Sequence, residues 1–259
     1  MDYICIPAEF KWWAKMGYVA RGIIYLVIGG LAVLTALGMG GDTTDSKGAI
    51  LAILEQPFGS ALLMLLIIGL FGYSAWRLIQ AVRDTDGHGT SLKGIGIRLA
   101  LFGSSITHAL LAVWAISLVL KKSVPGGESF GQMSSGTGQL AFGGVGIICV
   151  VAGLAHFYKG WRAGFERYMN LPQTTRFWAR PVCRFGLIAR GVVWCIVGWF
   201  FFDSAMRAQQ DQIRGIGEAL ASLQTSGQGP WLLLTVACGL VAFGIYSCLE
   251  ALYRRINTG

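Results

Sequence analysis

The sequence predicts an all-α membrane protein with six transmembrane helices. Of its 259 residues, 54% are hydrophobic and 13% are charged, whereas a typical globular chain has about 25% charged residues. Six apolar segments each approach the ~20 residues that a helix needs to cross a hydrocarbon core. The 37 glycines favour close helix packing, because helices in lipid associate through small residues. Composition, segment length and glycine content therefore agree on the fold class.

A repeated motif divides the six segments into three helical hairpins. The hexapeptide GYVARG at 17–22 recurs as GLIARG at 186–191, and a divergent third copy starts at Ala100. A Gly-Leu pair marks the second helix of each hairpin, at Gly69, Gly153 and Gly239. We predict a single membrane domain over 1–259, with repeats at about 10–90, 91–170 and 171–259, whose hairpins could surround a pseudo-threefold axis.

The elements follow in order along the chain. Residues 1–16 carry aromatic and basic side chains that suit the headgroup layer, so we expect an interfacial segment there. Apolar runs in the first and third outer loops predict short helices at about 48–55 and 213–223, whereas the Gly- and Ser-rich middle loop predicts no helix within 123–138. The predicted spans are 18–37, 59–79, 98–120, 139–158, 185–202 and 230–249.

The basic residues are unevenly distributed between the two sides of the predicted bundle. With helix-end arginines assigned to the nearer side, 16 of the 21 Lys and Arg lie on the side that carries both termini. The positive-inside rule then predicts cytoplasmic N- and C-termini. The basic residues flank apolar segments, so we expect anionic lipid headgroups as their partners and no nucleic acid. The six cysteines form no CxxC pair, so we predict reduced thiols and no metal site.

Four polar residues at the cytoplasmic helix ends form a candidate polar latch. Arg21 and Arg190 occupy matched positions in the first and fifth helices, and Gln80 and Glu250 end the helices that follow each of them. One interpretation is that both arginines simply extend to the interface. The alternative is that Arg190 pairs with Glu250, and that Arg21 pairs with Gln80 or Glu250, which would join the repeats.

Tyr25, His108 and Trp194 share one register of the repeat and form a candidate cavity level. Packing is the ordinary role of such aromatic residues, and His108 could bond a Ser or Thr of a neighbouring helix. A proton relay, a substrate site or a haem ligand are the alternatives. A bis-histidine haem would need His156 at the depth of His108, and the helical rise separates them by about 9 Å. We therefore predict no cofactor, with haem as a disfavoured option.

No catalytic motif is present in the sequence. A phosphate-binding Gly-x-x-x-x-Gly-Lys-Ser loop, a His-Glu-x-x-His pair and paired carboxylates within a span are all missing. We therefore expect no enzyme. The first hypothesis is a structural or accessory subunit that packs with partner membrane proteins or with itself. The alternatives are a small-solute or ion carrier or channel with a central cavity, and a lipid- or cofactor-binding membrane module.

The repeat pattern resembles a known family. Three two-helix repeats, a Gly-x-x-Ala-Arg-Gly-x-x-aromatic motif opening the first and third, and a Gly-Leu pair in each second helix are similar to the bacterial membrane family called domain of unknown function 1206. The resemblance covers nearly the whole chain, although Ser104 replaces the arginine in the middle repeat. It implies a six-helix integral protein of the bacterial inner membrane, and it implies no established activity.

Overall fold

The structure, a computed structural model, describes residues 9–120, 135–206, 216–225 and 229–255. Its regular elements in these ranges are helical, apart from one isolated bridge between Met169 and Arg254. A 3-10 turn spans Glu166–Tyr168. The α-helices are α1 Glu9–Ala36, α2 Ser46–Leu54, α3 Gly59–Arg83, α4 Leu92–Val119, α5 Ser135–Trp161, α6 Gln173–Met206, α7 Ile216–Gln224 and α8 Gly229–Tyr253.

Six of these helices are long and apolar enough to cross a membrane, namely α1, α3, α4, α5, α6 and α8. The predicted all-helical class and its six candidate spans are confirmed. Several helices extend beyond the predicted spans at the end of the bundle that carries Glu9 and Tyr253, which we call the terminal end. At 34 residues, α6 is the longest, and at the helical rise it measures about 51 Å.

One prediction about this end is corrected, and another stays a prediction. The described part of the predicted interfacial segment 1–16 belongs to α1, which begins at Glu9, and Ala14 is fully buried in the bundle; its depth in a membrane stays a prediction. The spans predicted at 139–158 and 185–202 left residues 159–184 as a loop, yet α6 begins at Gln173 and includes Pro181. Proline removes one backbone donor from a helix, and the helix continues through it.

The short helices at the other end of the bundle, which we call the loop-helix end, are confirmed as α2 and α7. The Asp45 carboxylate caps α2 by accepting from the amides of Lys47 and Gly48 at 2.9 and 3.0 Å. The two short helices pack their buried residues Ala49, Ile50, Ala219 and Leu220 into the main apolar core. The middle loop, predicted without a helix, ends where α5 starts at Ser135, and residues 121–134 lie outside the described ranges.

The spanning helices pack in the order α4, α3, α1, α8, α6, α5. Each neighbouring pair in this series is in extensive contact. By contrast, α4 and α5 make little or no contact over their described residues, although they are consecutive in the chain. They are also the least buried of the six helices. The bundle is therefore an open arc. The sequence predicted that the middle pair of spans, α4 and α5, would pack as a hairpin, and this prediction is wrong.

Small residues explain which helices come close together. A Cβ atom built on Gly17 of α1 would lie 2.5 Å from the Tyr73 backbone of α3, and Gly186 of α6 meets Phe243 of α8 just as closely. The contact between α3 and α4 uses serines instead, with Ser74 and Ser105 each donating to the other's carbonyl oxygen at 2.8 Å.

The contacts of α1 with α8 and of α5 with α6 also rely on glycine, whereas several glycines of α4 and α5 meet no neighbouring helix. A Cβ on Gly22 of α1 would lie 2.6 Å from the Cys248 sulfur of α8, and one on Gly153 of α5 would lie 2.6 Å from the Cys195 sulfur of α6. In contrast, the α4 glycines at 96 and 103 and the α5 glycines at 143 and 144 have no such neighbour within 4 Å. We call the gap between α4 and α5 the seam.

Candidate functional site

A buried ion cluster occupies the interior near the terminal end. Glu250 of α8 is 2% exposed, and both of its carboxylate oxygens are occupied. Arg21 of α1 pairs with Oε2 through Nη2, and Arg254 pairs with Oε1 through Nη1 at 2.7 Å. A buried carboxylate is strongly disfavoured unless it is paired, so these two arginines hold Glu250 in its charged form.

Arg21 has partners from two other helices, α3 and α8. Its Nε donates to Ser247 Oγ of α8 at 3.1 Å, and its Nη1 donates to the Tyr73 hydroxyl of α3. The guanidinium also lies over the rings of Tyr73 and Phe243, with centroids 5.1 and 5.2 Å away. Arg21 therefore ties α1, α3 and α8 together, and each of its three side-chain nitrogens already donates a hydrogen bond.

The cluster continues to the surface of the terminal end through the loop after α3. Arg254 Nη2 pairs with Asp86 Oδ2 at 2.9 Å, and Gln80 Nε2 donates to the same oxygen at 2.8 Å. Asp84 shapes this loop by accepting from the amides of His88 and Gly89. Burial acts to raise the pKa of Asp84, but these two backbone amides outweigh it and hold the pKa below its usual value.

Arg190 of α6 is placed quite differently from Arg21. It lies between two aromatic faces, with its guanidinium carbon 4.7 Å from the ring centroid of Tyr25 and 4.3 Å from that of Phe243. Its Nε is buried and has no hydrogen-bond partner, and no carboxylate among the described residues pairs with it. An unpaired cation inside a bundle is costly. The Nε atom of Arg254 also lacks a partner, but Arg254 is ion-paired through its other two nitrogens, whereas Arg190 has no ion pair among the described residues.

The latch predicted from the sequence is thus only partly assembled. Arg21 meets Glu250, and Gln80 accepts from Arg77 Nη1 at 3.2 Å. Arg190 does not reach Glu250, because α6 crosses α8 where Gly186 meets Phe243. Glu250 lies about two helical turns further along α8, roughly 10 Å away at the helical rise.

Two histidines face the same interior from the helices that border the seam. His108 of α4 and His156 of α5 donate through Nδ1 to the carbonyl oxygens of Ser104 and Ala152, at 2.7 and 2.8 Å. A carbonyl can only accept, so Nδ1 carries the proton and Nε2 is left free in the neutral ring. Both imidazoles lie within electrostatic range of Arg21 and Arg190.

The predicted level of Tyr25, His108 and Trp194 is not one contact layer. Tyr25 packs edge-on against Phe243, with ring centroids 4.8 Å apart, and His108 packs against Tyr73 at 4.6 Å. Trp194 is partly buried against the apolar core, and no ring contact links it to the other two in the described part of the chain. Tyr25 and His108 nevertheless both line the interior that contains the arginines.

The interior carries more positive than negative charge. Four basic side chains, Arg21, Arg77, Lys159 and Arg254, act electrostatically on Glu250. Arg190 adds a fifth cation, and among the described residues Asp86 is the one further carboxylate that is paired within the cluster. No group of metal ligands occurs in the described ranges. The chemistry that this arrangement supports is the binding of an oxyanion.

Sequence reasoning missed several members of this site. Arg77, Lys159 and Arg254 were counted only among the basic residues on the side of the termini, and Tyr73 and Phe243 were not considered. A signal for the aromatic pair exists, since each stands four residues after a Gly-Leu glycine, Gly69 or Gly239. Arg77 and Lys159 use tyrosine hydroxyls as partners, those of Tyr73 and Tyr246.

Comparison with known proteins identifies relatives of the chain. A family model described as Domain of Unknown Function (DUF1206) matches residues 16–84 and 185–254, so α4 and α5 lie between the matched stretches. The uncharacterized protein YxxB of Bacillus subtilis (strain 168) is 33% identical over 267 aligned residues, which cover 97% of this chain and 95% of the relative. No solved structure matches the chain.

Proposed function

Because the chain belongs to the family described as Domain of Unknown Function (DUF1206), whose name implies no activity, we propose a function from the site itself. The protein binds an oxyanion, a carboxylate or a phosphate, inside its helical bundle, and acts as a membrane-embedded binding protein or carrier. The observation that carries this proposal is Arg190, an interior guanidinium with no hydrogen-bonded or acidic partner in the described residues. The proposal includes no catalytic step and no cofactor.

The comparison of Arg190 with Arg21 supports this function. The two arginines hold the same place in the repeated hexapeptide, but only Arg21 has a carboxylate, Glu250, and hydroxyl partners. A purely structural cation would be expected to have such partners. The planar guanidinium can donate two parallel hydrogen bonds to a carboxylate or phosphate, so the missing partner of Arg190 is well matched by an oxyanion ligand.

The test is the thermal stability of the purified protein with added oxyanions. The ligands tested are inorganic phosphate, acetate, dodecyl phosphate and laurate. We expect at least one of them to raise the unfolding temperature. At a concentration of a hundred times the Kd the rise should be about 5–10 °C. Replacing Arg190 by glutamine should remove the rise. Arg83→Gln, which removes a basic residue from the exposed last turn of α3, is the matched control.

The membrane orientation is a further part of the proposal. The 16 to 5 distribution of basic residues supports termini on the cytoplasmic side of a bacterial inner membrane. In a variant with all native cysteines replaced by alanine, Asp42→Cys at the loop-helix end should react with an impermeant thiol reagent in intact cells. Lys93→Cys at the terminal end should react only after permeabilisation. The reverse pattern would contradict the orientation.

An accessory role, in which the protein packs with other membrane proteins or with itself, is the second candidate. It is favoured by an exposed apolar groove of about 560 Å³ between α1, α3 and α8, lined by residues that include Val19, Ile23, Leu62 and Leu65. In lipid such a groove can also be filled by acyl chains. If no oxyanion stabilises a well-folded wild-type protein, the groove becomes the better-supported basis for function.

A further inference from the structure

The two ends of the bundle are closed over the part of the chain that the structure describes. At the terminal end, Asp86, Arg254, Glu250 and Arg21 form a continuous chain of ion pairs. The backbone amide of Asn170 donates to the Tyr253 carbonyl at 2.8 Å, and this bond fixes the loop between α5 and α6 over the end of α8. A ligand entering from this side would have to break buried ion pairs, and breaking such pairs is strongly unfavourable.

The loop-helix end is filled by apolar side chains. Ala49 and Ile50 of α2 and Ala219 and Leu220 of α7 are completely buried. They belong to the same core cluster as Ala112 and Ala115 of α4. The two short helical segments also approach each other, since a Cβ on Gly217 would lie 3.3 Å from the Thr44 backbone. Packed apolar cores leave little space for a charged group to pass.

Five of the six lateral boundaries are closed as well. The close pairs of α1 with α3, α1 with α8, α6 with α8 and α5 with α6 are glycine contacts that leave no room for a methyl group. The pair of α3 with α4 is held by the reciprocal bonds of Ser74 and Ser105. Only the seam lacks a helix contact among the described residues.

The seam lies between the two helices that carry the histidines of the site, His108 on α4 and His156 on α5. On α4, Ser105 faces α3 and His108 faces the interior, so the helical spacing places Ala100 and Thr107 on the side turned away from α3. On α5, Gly153 faces α6 and His156 faces the interior, which places Ile148 and Ala155 on the side away from α6. All four of these seam residues are exposed, and three of them are small.

We infer that the ligand of the Arg190 site is an anionic amphiphile that enters sideways from the bilayer, with its oxyanion headgroup at Arg190 and its acyl chain in the seam. The inference rests on the proposed oxyanion function and adds the class of ligand and its route. An acyl chain between two lipid-exposed helices stays in apolar surroundings. The charged headgroup meanwhile leaves its lipid surroundings and contacts the guanidinium of Arg190, whose buried Nε lacks a hydrogen-bond partner.

The experiment separates the headgroup from the chain. Wild-type protein in nanodiscs of a zwitterionic phospholipid is titrated with dodecyl phosphate or with inorganic phosphate, and unfolding is followed by circular dichroism. Ala155→Trp fills the seam, and Leu154→Trp, which adds the same ring to the lipid-facing side of α5, is its matched control. We expect dodecyl phosphate to bind the wild type and the control, and to bind Ala155→Trp at least about tenfold more weakly.

The outcomes distinguish this inference from the proposed function. If inorganic phosphate stabilises the wild type as well as dodecyl phosphate does, and Arg190→Gln abolishes both effects, the oxyanion site stands and the amphiphile is excluded. If Ala155→Trp and Leu154→Trp bind dodecyl phosphate equally well, the route through the seam is overturned. If neither phosphate nor carboxylate ligands bind, both proposals fail. Equal unfolding temperatures of the two tryptophan variants without ligand show that both are folded.

Discussion

Replacing Glu250 by alanine is expected to lower the stability of the bundle by about 3–5 kcal/mol, which is the range for stranding one partner of a buried ion pair. Glu250 is the carboxylate that Arg21 and Arg254 share. Arg254 would keep its pairing with Asp86 in the variant. Arg21 would keep only its neutral partners, Ser247 and Tyr73, and its charge would be left without a counter-charge in the interior.

Thermal unfolding in detergent measures this loss, and a double-mutant cycle assigns it. Because Arg21→Ala removes the stranded charge, the double variant Arg21→Ala with Glu250→Ala should lose less stability than the sum of the single variants. Glu166→Ala is the control, since Glu166 pairs with Arg176 and Arg180 whose side chains are about half exposed. Such surface pairs contribute only about 0–1 kcal/mol. Additive losses of stability in the Arg21 and Glu250 variants would show that the two residues are not energetically coupled.

The arginine pair also shows how far sequence reasoning reaches in a membrane bundle. The repeat identified Arg21 and Arg190 as equivalent, and helix ends identified Gln80 and Glu250 as their possible partners. The choice between partners depends on which helices are in contact and at what crossing point. Arg21 meets Glu250 because α1 packs on α8 through Gly22 and Gly244, a contact between the two ends of the chain.

The helix order itself was only partly predictable. Hydropathy and length predicted the six candidate spans, and the apolar runs in the loops predicted α2 and α7. The separation of α4 from α5 had no sequence signal, because helix faces toward lipid and helix faces toward protein are equally apolar. Gly103 of α4 and Gly144 of α5 look like packing glycines in the sequence, yet each meets open space.

The same reasoning limits the prediction of the site. His108 was singled out because it stands in the repeat register, whereas His156 was weighed only as a haem ligand. The structure places both beside the seam, within range of Arg190. Residues of different repeats that line one interior cannot be grouped by their spacing in the chain. They become a site only when packing brings α5 and α6 to Phe243 and α4 to Tyr73.

Replacing Gly17 by alanine is expected to destabilise the protein by about 1–3 kcal/mol, the usual effect of overfilling a packed contact. The new methyl carbon would lie 2.5 Å from the Tyr73 backbone, so α1 and α3 would have to move apart. That movement would also weaken the hydrogen bond from Arg21 to the Tyr73 hydroxyl. Gly186→Ala should show a similar loss, because Gly186 meets the Phe243 backbone in the equivalent contact of α6 with α8.

Gly30→Ala is the matched control, because Gly30 lies in the same helix as Gly17 and a Cβ atom added to it would meet no neighbour within 4 Å. Alanine is a better helix former than glycine by about 1 kcal/mol. The control variant should therefore unfold at the wild-type temperature or above it, while Gly17→Ala unfolds below it. The two substitutions are chemically identical, so opposite signs isolate helix contact from helix propensity. If Gly17→Ala also unfolded at or above the wild-type temperature, α1 and α3 could not be as close as the Gly17 contact requires.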